Sequence, residues 1–214
     1  MIQRVYERAT KARLVSAVAV ATDDERIYKA VLGFGGTAVM TSVAHQSGTD
    51  RVSEAVSILG LGNAVDVVVN MQGDEPLIEP AAIDAAIAPL IADETIQVST
   101  LKTRISSQED YNNPNVVKVV CDSSGYALYF SRSQVPYARN PCVIYKHIGL
   151  YVYRRGFLER FHSIQPSLLE EAEGLEQLRA LEAGVRIKVV ETQYCPVSVD
   201  TPEDLEKVRG IFKS

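Results

Sequence analysis

The chain has 214 residues, 46% of them hydrophobic and 23% charged, with a formal net charge of -5. That length supports one globular domain with a sizeable core, and scattered Gly and Pro call for neither linkers nor a repeat array. The negative charge excludes a general nucleic-acid surface, which needs a basic field to release counterions, so any bound phosphate must be held locally.

Met1 to Leu14 is a charged amphipathic stretch, with a helix predicted over Ile2–Ala12. It has no apolar core of a signal peptide, and no later run reaches transmembrane length, which reads as a soluble cytoplasmic protein. Strand patterns at Val15–Thr22, Thr37–Thr41, Asp66–Gln72 and Gln97–Ile105 then alternate with helical patterns at Asp23–Gly33, Asp50–Leu59 and Pro80–Ala92. This alternation predicts an α/β fold with an open, mixed and mainly parallel sheet flanked by helices, of Rossmann type. Val65, Val67, Val68 and Val69 form a β-branched run expected of a central strand covered on both faces.

The second half changes character. Strand candidates Val116–Cys121, Ala127–Ser131 and His147–Tyr153 are separated only by turns, so some of them pair antiparallel. Helices at Gly156–Ser163 and Leu168–Ala183, a strand at Arg186–Thr192 and a helix at Pro202–Phe212 follow; the Leu168, Ala172, Leu175, Leu178 and Leu181 spacing is helical. Thr201-Pro202-Glu203-Asp204 is a variant capping box, with Thr at the N-cap and Pro at the first helical position. Cys121, Cys142 and Cys195 are odd in number and too far apart for a zinc pair, as expected of scattered thiols in a reducing cytoplasm.

Gln72-Gly73-Asp74-Glu75-Pro76 follows a strand directly and so lies at its carboxyl end, where ligands of open α/β sheets bind. Gly73 allows close backbone approach and Pro76 holds Glu75 extended. Asp74 is then a carboxylate at the rim of the sheet, and Asp200 a second one just outside a fixed helix entry. Mg2+ is usually held by one or two protein carboxylates together with phosphate oxygens and water, so Asp74 and Asp200 suffice for a site; turn acids give the same pattern. His45-Gln46-Ser47-Gly48-Thr49-Asp50-Arg51 precedes a helix, where free N–H groups suit an anionic or ribose ligand and where Thr49 also suits an N-cap.

At these residues the chain resembles the 3-deoxy-manno-octulosonate cytidylyltransferase family. The resemblance runs in one order through His45–Arg51, Asn70–Pro76, Tyr111–Val120, Ala127–Arg132, Lys146–Tyr151, Leu175–Arg179 and Val199–Leu205. It implies a single nucleotidyltransferase domain over residues 1–214, with a sugar-binding and dimerisation subregion around 116–185. It further implies Mg2+-dependent transfer of CMP from CTP to Kdo for lipopolysaccharide synthesis, by a homodimer that binds neither nucleic acid nor membrane. Residue by residue, Asp74 and Asp200 would be catalytic and hold the metal. Arg51, Gln72, Arg132, His147, Tyr151, Glu176 and Gln177 would bind the sugar, and Ser47 and Thr49 the nucleotide. The alternatives are a cytidylyltransferase for another acidic sugar and a non-catalytic nucleotide-binding protein.

The sequence departs from the family pattern at its front. The first strand and the Gly/Arg/Ser-rich nucleotide loop that family members have before the position of Met1 are absent, which leads to the expectation that the chain is part of a longer protein. Tyr137 to Tyr145 also looks short for the family.

Overall fold

A computed structural model describes residues 1–45, 47–60, 65–199 and 201–213. In chain order the elements are α1 (Ile2–Ala9), β1 (Val20–Thr22), α2 (Glu25–Gly33), β2 (Ala38–Met40), α3 (Gly48–Ile58), β3 (Val67–Asn70), α4 (Pro80–Ala92) and β4 (Val98–Arg104). They continue with α5 (Gln108–Asn112), β5 (Lys118–Cys121), β6 (Ala127–Ser131), β7 (Tyr145–Arg154), α6 (Arg155–Phe161), α7 (Leu168–Glu173), α8 (Gln177–Glu182), β8 (Ile187–Glu191) and α9 (Pro202–Lys213). The class is α/β, as the alternating patterns predict. The chain divides into two compact units: Met1–Val65 with Asn70–Asp84 and Tyr194–Ser214, and Asp66–Val69 with Ala85–Gln193.

In the first unit β1 and β2 pair in parallel, joined through α2. The Asp24 side chain caps α2 by accepting from the Arg26 N–H at 2.7 Å, satisfying one of the donors a helix start leaves over. β1 is shorter than the predicted Val15–Thr22, because its partner offers only Ala38–Met40 for pairing. Tyr6 ties α1 to both strand entries: its hydroxyl donates to Val18 O and accepts from Thr37 N, each at 3.3 Å. At α9 the predicted cap forms: Asp204 N–H donates to Thr201 Oγ1 at 3.2 Å, while Asp204 Oδ2 accepts from Thr201 N–H at 3.2 Å. Val31, Val39, Ala55, Ile78, Ile83 and Val208 form the core of this unit.

The second unit holds a six-stranded sheet in the order β6-β5-β7-β4-β8, with β3 also paired to β7. β4 and β8 run parallel, whereas β4–β7, β5–β6 and β5–β7 are antiparallel. The sheet is mixed, with a larger antiparallel share than the first half of the sequence suggests. The predicted central strand is corrected as well: Val68 and Asn70 are buried but Val67 and Val69 only partly so. A β-branched run suits a strand covered on one face equally well, and the middle of the sheet belongs to the ten-residue β7. Leu101, Phe130, Ile148, Leu150, Phe161 and Leu178 are fully buried or nearly so, each worth roughly 1.5–3 kcal/mol.

The helix predicted over Leu168–Ala183 is two helices. Gly174 adopts the left-handed conformation, φ 61°, and ends α7, the position where Gly is favoured because it has no Cβ to clash. The leucine spacing therefore spans a break, and Leu168 is 82% exposed while Leu178 is buried. Among the described residues no helix is long and apolar enough to cross a membrane.

Candidate active site

In the first unit the Ser47–Arg51 segment is the amino end of α3. Ser47, rather than Thr49, is the N-cap, its hydroxyl oxygen accepting from the Asp50 N–H at 3.1 Å. Thr49 turns inward, 2% exposed, and its Oγ1 lies 3.5 Å from Asn70 Nδ2. Gln72 comes to the same place: a Cβ added to Gly48 would lie 3.4 Å from Gln72 Nε2. Ser47, Thr49 and Gln72 are thus brought together around a helix start whose dipole favours an anion.

Arg51 points elsewhere within the unit. Its guanidinium donates to Thr41 Oγ1 at 2.7 Å and pairs with Asp23 Oδ2 at 3.0 Å. His45 sits before the helix with Nε2 2.5 Å from Glu54 Oε2, and the Ser42 N–H donates to the same oxygen at 2.8 Å. Those contacts, the Ser42 one foremost, hold the Glu54 carboxyl below its ordinary range.

Asp74 is partly exposed, and its carbonyl accepts from the Val199 N–H at 2.9 Å. The residue preceding Asp200 is therefore bonded to Asp74, while Asp200 itself lies outside the described residues. Beside Asp74, Glu75 is buried and accepts from the Tyr194 hydroxyl at 3.3 Å. Burial and then the Asp74 charge push its carboxyl up to about 7. Glu75 stands out only in the structure; its sequence signal is the Pro that follows it. No cluster of three or more His, Cys, Asp or Glu side chains forms a ready metal cage among the described residues. The Asp74 carboxylate is a hard oxygen ligand of the kind that suits Mg2+, with water and phosphate completing its shell.

In the second unit the site is built on β7. Tyr145–Ile148 pairs with Arg104–Leu101 and Tyr151–Tyr153 with Thr100–Val98, with the register shifting between Thr100 and Leu101. β7 thus carries a bulge at Gly149 and Leu150. Residues four apart in an uninterrupted strand have Cα atoms about 13 Å apart; here the rings of His147 and Tyr151 lie 5.2 Å apart. Phe130 meets His147 edge-on at 5.0 Å.

The bulge also fixes a proton. Thr100 Oγ1 donates to Leu150 O at 2.7 Å, with Ile148 O at 3.1 Å, and lies 2.9 Å from His147 Nε2. With the one hydroxyl hydrogen directed at a carbonyl, Nε2 must donate to Oγ1, which assigns the neutral Nε2–H tautomer. Burial lowers the His147 pKa to about 3, in agreement. Nδ1 then presents a lone pair. Among the described residues the Tyr151 hydroxyl is buried without a hydrogen-bond partner, and burial, with the Tyr153 and Glu176 charges, pushes its pKa well up.

Glu176 and Gln177 start α8, with Gln177 buried. Arg179 holds α8 to α7 through Glu170, Nε to Oε2 at 2.7 Å and Nη2 to Oε1 at 2.5 Å. Arg132 Nη2 donates to Gly174 O at 3.4 Å, two residues before Glu176. Within this unit Arg132, His147, Tyr151, Glu176 and Gln177 are therefore linked by direct contact, a shared helix start or electrostatic reach. Lys118 and Glu173, which support Arg132, are residues the sequence reading missed.

Comparison with known proteins identifies the family of the chain. A family model described as cytidylyltransferase matches residues 1–187. The 3-deoxy-manno-octulosonate cytidylyltransferase of Geobacter sulfurreducens is 55% identical across 97% of this chain and 87% of its own length. The protein of the same name from Geotalea uraniireducens is 57% identical across 97% of this chain and 86% of its own. A solved structure of CMP:2-keto-3-deoxy-manno-octonic acid synthetase complexed with CTP superposes with a TM-score of 0.93 at 42% identity, covering 99% of this chain and 87% of that one. A 4-diphosphocytidyl-2C-methyl-D-erythritol synthase, 15% identical with a TM-score of 0.64 over 99% of this chain and 89% of that one, shares the fold.

Proposed function

Because the chain belongs to the 3-deoxy-manno-octulosonate cytidylyltransferase family of nucleotidyltransferases, we propose that it transfers CMP from CTP to Kdo, with Mg2+ as cofactor. The observation that carries this reading is identity of 55–57% over nearly the whole chain with proteins of that name. In the reaction the 2-hydroxyl oxygen of the sugar bonds to the α-phosphorus of CTP, the bond to the pyrophosphate oxygen breaks, and the hydroxyl proton is released. The product CMP-Kdo serves lipopolysaccharide synthesis in the cytoplasm, and the enzyme is a homodimer assembled through its 116–185 region.

Catalysis of this kind is mainly positioning and charge stabilisation. The amino end of α3, with Ser47 and Thr49, receives the nucleotide, while Gln72 and Arg51 belong to the sugar-binding set. Arg132 takes the sugar carboxylate, as planar guanidinium suits carboxylate. His147 accepts a hydrogen bond from a sugar hydroxyl at Nδ1, while Tyr151, Glu176 and Gln177 serve the remaining hydroxyls with mixed donors and acceptors. Asp74 and Asp200 would hold Mg2+. When bound, the ion neutralises phosphate charge and lowers the pKa of the sugar hydroxyl.

The test is turnover with CTP, Mg2+ and a panel of acidic sugars, reading pyrophosphate release. Turnover with Kdo supports the reading. Turnover with another sugar alone, or CTP binding without pyrophosphate release, overturns it.

A further inference from the structure

Lys118 begins β5, opposite Ser131 of β6 and Lys146 of β7, and is fully buried. A buried ammonium is costly unless its donors are satisfied. All three are: Nζ donates to Asn113 O at 3.0 Å, Val116 O at 2.7 Å and Arg132 O at 2.7 Å. Lys118 therefore joins the Asn113–Val116 turn to the backbone of Arg132. The same turn supplies Pro114 O, to which Arg132 Nη1 donates at 3.1 Å.

Glu173 holds Arg132 from the other side. Its Oε2 accepts from the Arg132 N–H at 2.9 Å and its Oε1 from Ser131 Oγ at 2.6 Å. Its backbone carbonyl accepts from Arg132 Nε at 2.6 Å, next to the Gly174 carbonyl that accepts from Nη2. The guanidinium thus closes the carboxyl end of α7, where exposed carbonyls favour a cation. Of its five N–H groups, three go to the carbonyls of Pro114, Glu173 and Gly174. Among the described residues one N–H on each terminal nitrogen remains, a pair matched to a carboxylate.

We propose that Lys118 and Glu173 are positioning residues, which fix Arg132 so that this remaining pair faces the carboxylate of the acidic sugar. The inference rests on the reading of Arg132 as a sugar-binding residue. Its physical basis is preorganisation: an arginine already held by backbone carbonyls loses little further freedom when the ligand arrives.

The test is a double-mutant cycle on the full chain, with CTP, Mg2+ and Kdo, using Lys118→Met, Glu173→Gln, Arg132→Ala and the two pairs with Arg132→Ala. Each supporting variant is expected to raise KM for Kdo about tenfold with KM for CTP within about twofold, and to add nothing once Arg132 is removed. Equal effects with and without Arg132, or no effect on KM for Kdo, overturn the proposal. If Lys118→Met does not fold, Glu173→Gln completes the cycle alone, because its side chain is only partly buried. If Arg132→Ala has no turnover, Kdo binding by calorimetry replaces KM in every arm. A wild type that does not turn over Kdo defeats the proposed function. A wild type that does, with KM for Kdo unchanged by Arg132→Ala, defeats the Arg132 assignment and this inference with it.

Discussion

The hydroxyl oxygen of Thr100 lies 2.9 Å from Nε2 of His147, and the two are held together by a bulge in β7. Thr100 is fully buried, so this hydroxyl both determines which imidazole nitrogen carries the proton and occupies the carbonyls that the bulge leaves over. Thr100→Val keeps the shape and removes those bonds. It is expected to lower stability by about 1–3 kcal/mol, the cost of leaving buried polar groups unpaired. It should also raise KM for the acidic sugar more than KM for CTP. Urea denaturation and steady-state kinetics on the same preparation check both.

His147 also gives a pH dependence. Its ordinary value of 6.5 is lowered by burial to about 3. Between those values the unfolded chain binds a proton that the folded chain does not, so this group makes stability rise with pH up to 6.5 and level off above. Glu75, raised from 4.5 to about 7, acts in the opposite sense over part of that range, so the measurement compares two proteins. His147→Gln should show a smaller gain in urea midpoint than wild type between about pH 5 and pH 7.5. An equal gain in both rejects the assignment.

Gly174 ends α7 with φ 61° and its carbonyl accepts from Arg132. Gly174→Ala forces a Cβ into a left-handed conformation at a cost of roughly 1–2 kcal/mol. The expected outcome is a lowered melting temperature together with weaker binding of the acidic sugar, read by thermal unfolding and calorimetry.

Asp200→Asn leaves the Thr201–Asp204 cap at the start of α9 intact. It should spare folding and reduce turnover on the order of 10²-fold or more, as loss of a charge-stabilising group does. Asp74→Asn should do the same, and chelation of Mg2+ should stop turnover by wild type reversibly. Near-normal kcat in either variant, with circular dichroism unchanged, removes that residue from the metal role.

What could be read in the sequence follows from how local each determinant is. The Thr201-Pro202-Glu203-Asp204 cap was legible because its donors and acceptors lie within four residues of chain, and both reciprocal bonds form. The break at Gly174 was present as a glycine but hidden by leucines that keep helical spacing across it. The β7 bulge was not legible, since register is a property of two strands and β4 lies more than forty residues from β7 in sequence. Lys118 lies within the Val116–Cys121 strand pattern; only the fold shows that three carbonyls converge on its ammonium. Of the candidate metal pair, Asp74 could be placed at a strand's carboxyl end from sequence, and its bond to Val199 needed the structure.

At the bulge β7 advances three residues, from Ile148 to Tyr151, while β4 advances one, from Leu101 to Thr100. Both steps are odd, so the alternation of faces along β7 survives the interruption, and His147 and Tyr151 stay on one side of the sheet. The two looped-out residues, Gly149 and Leu150, change how far apart the neighbouring side chains sit without changing the face they share.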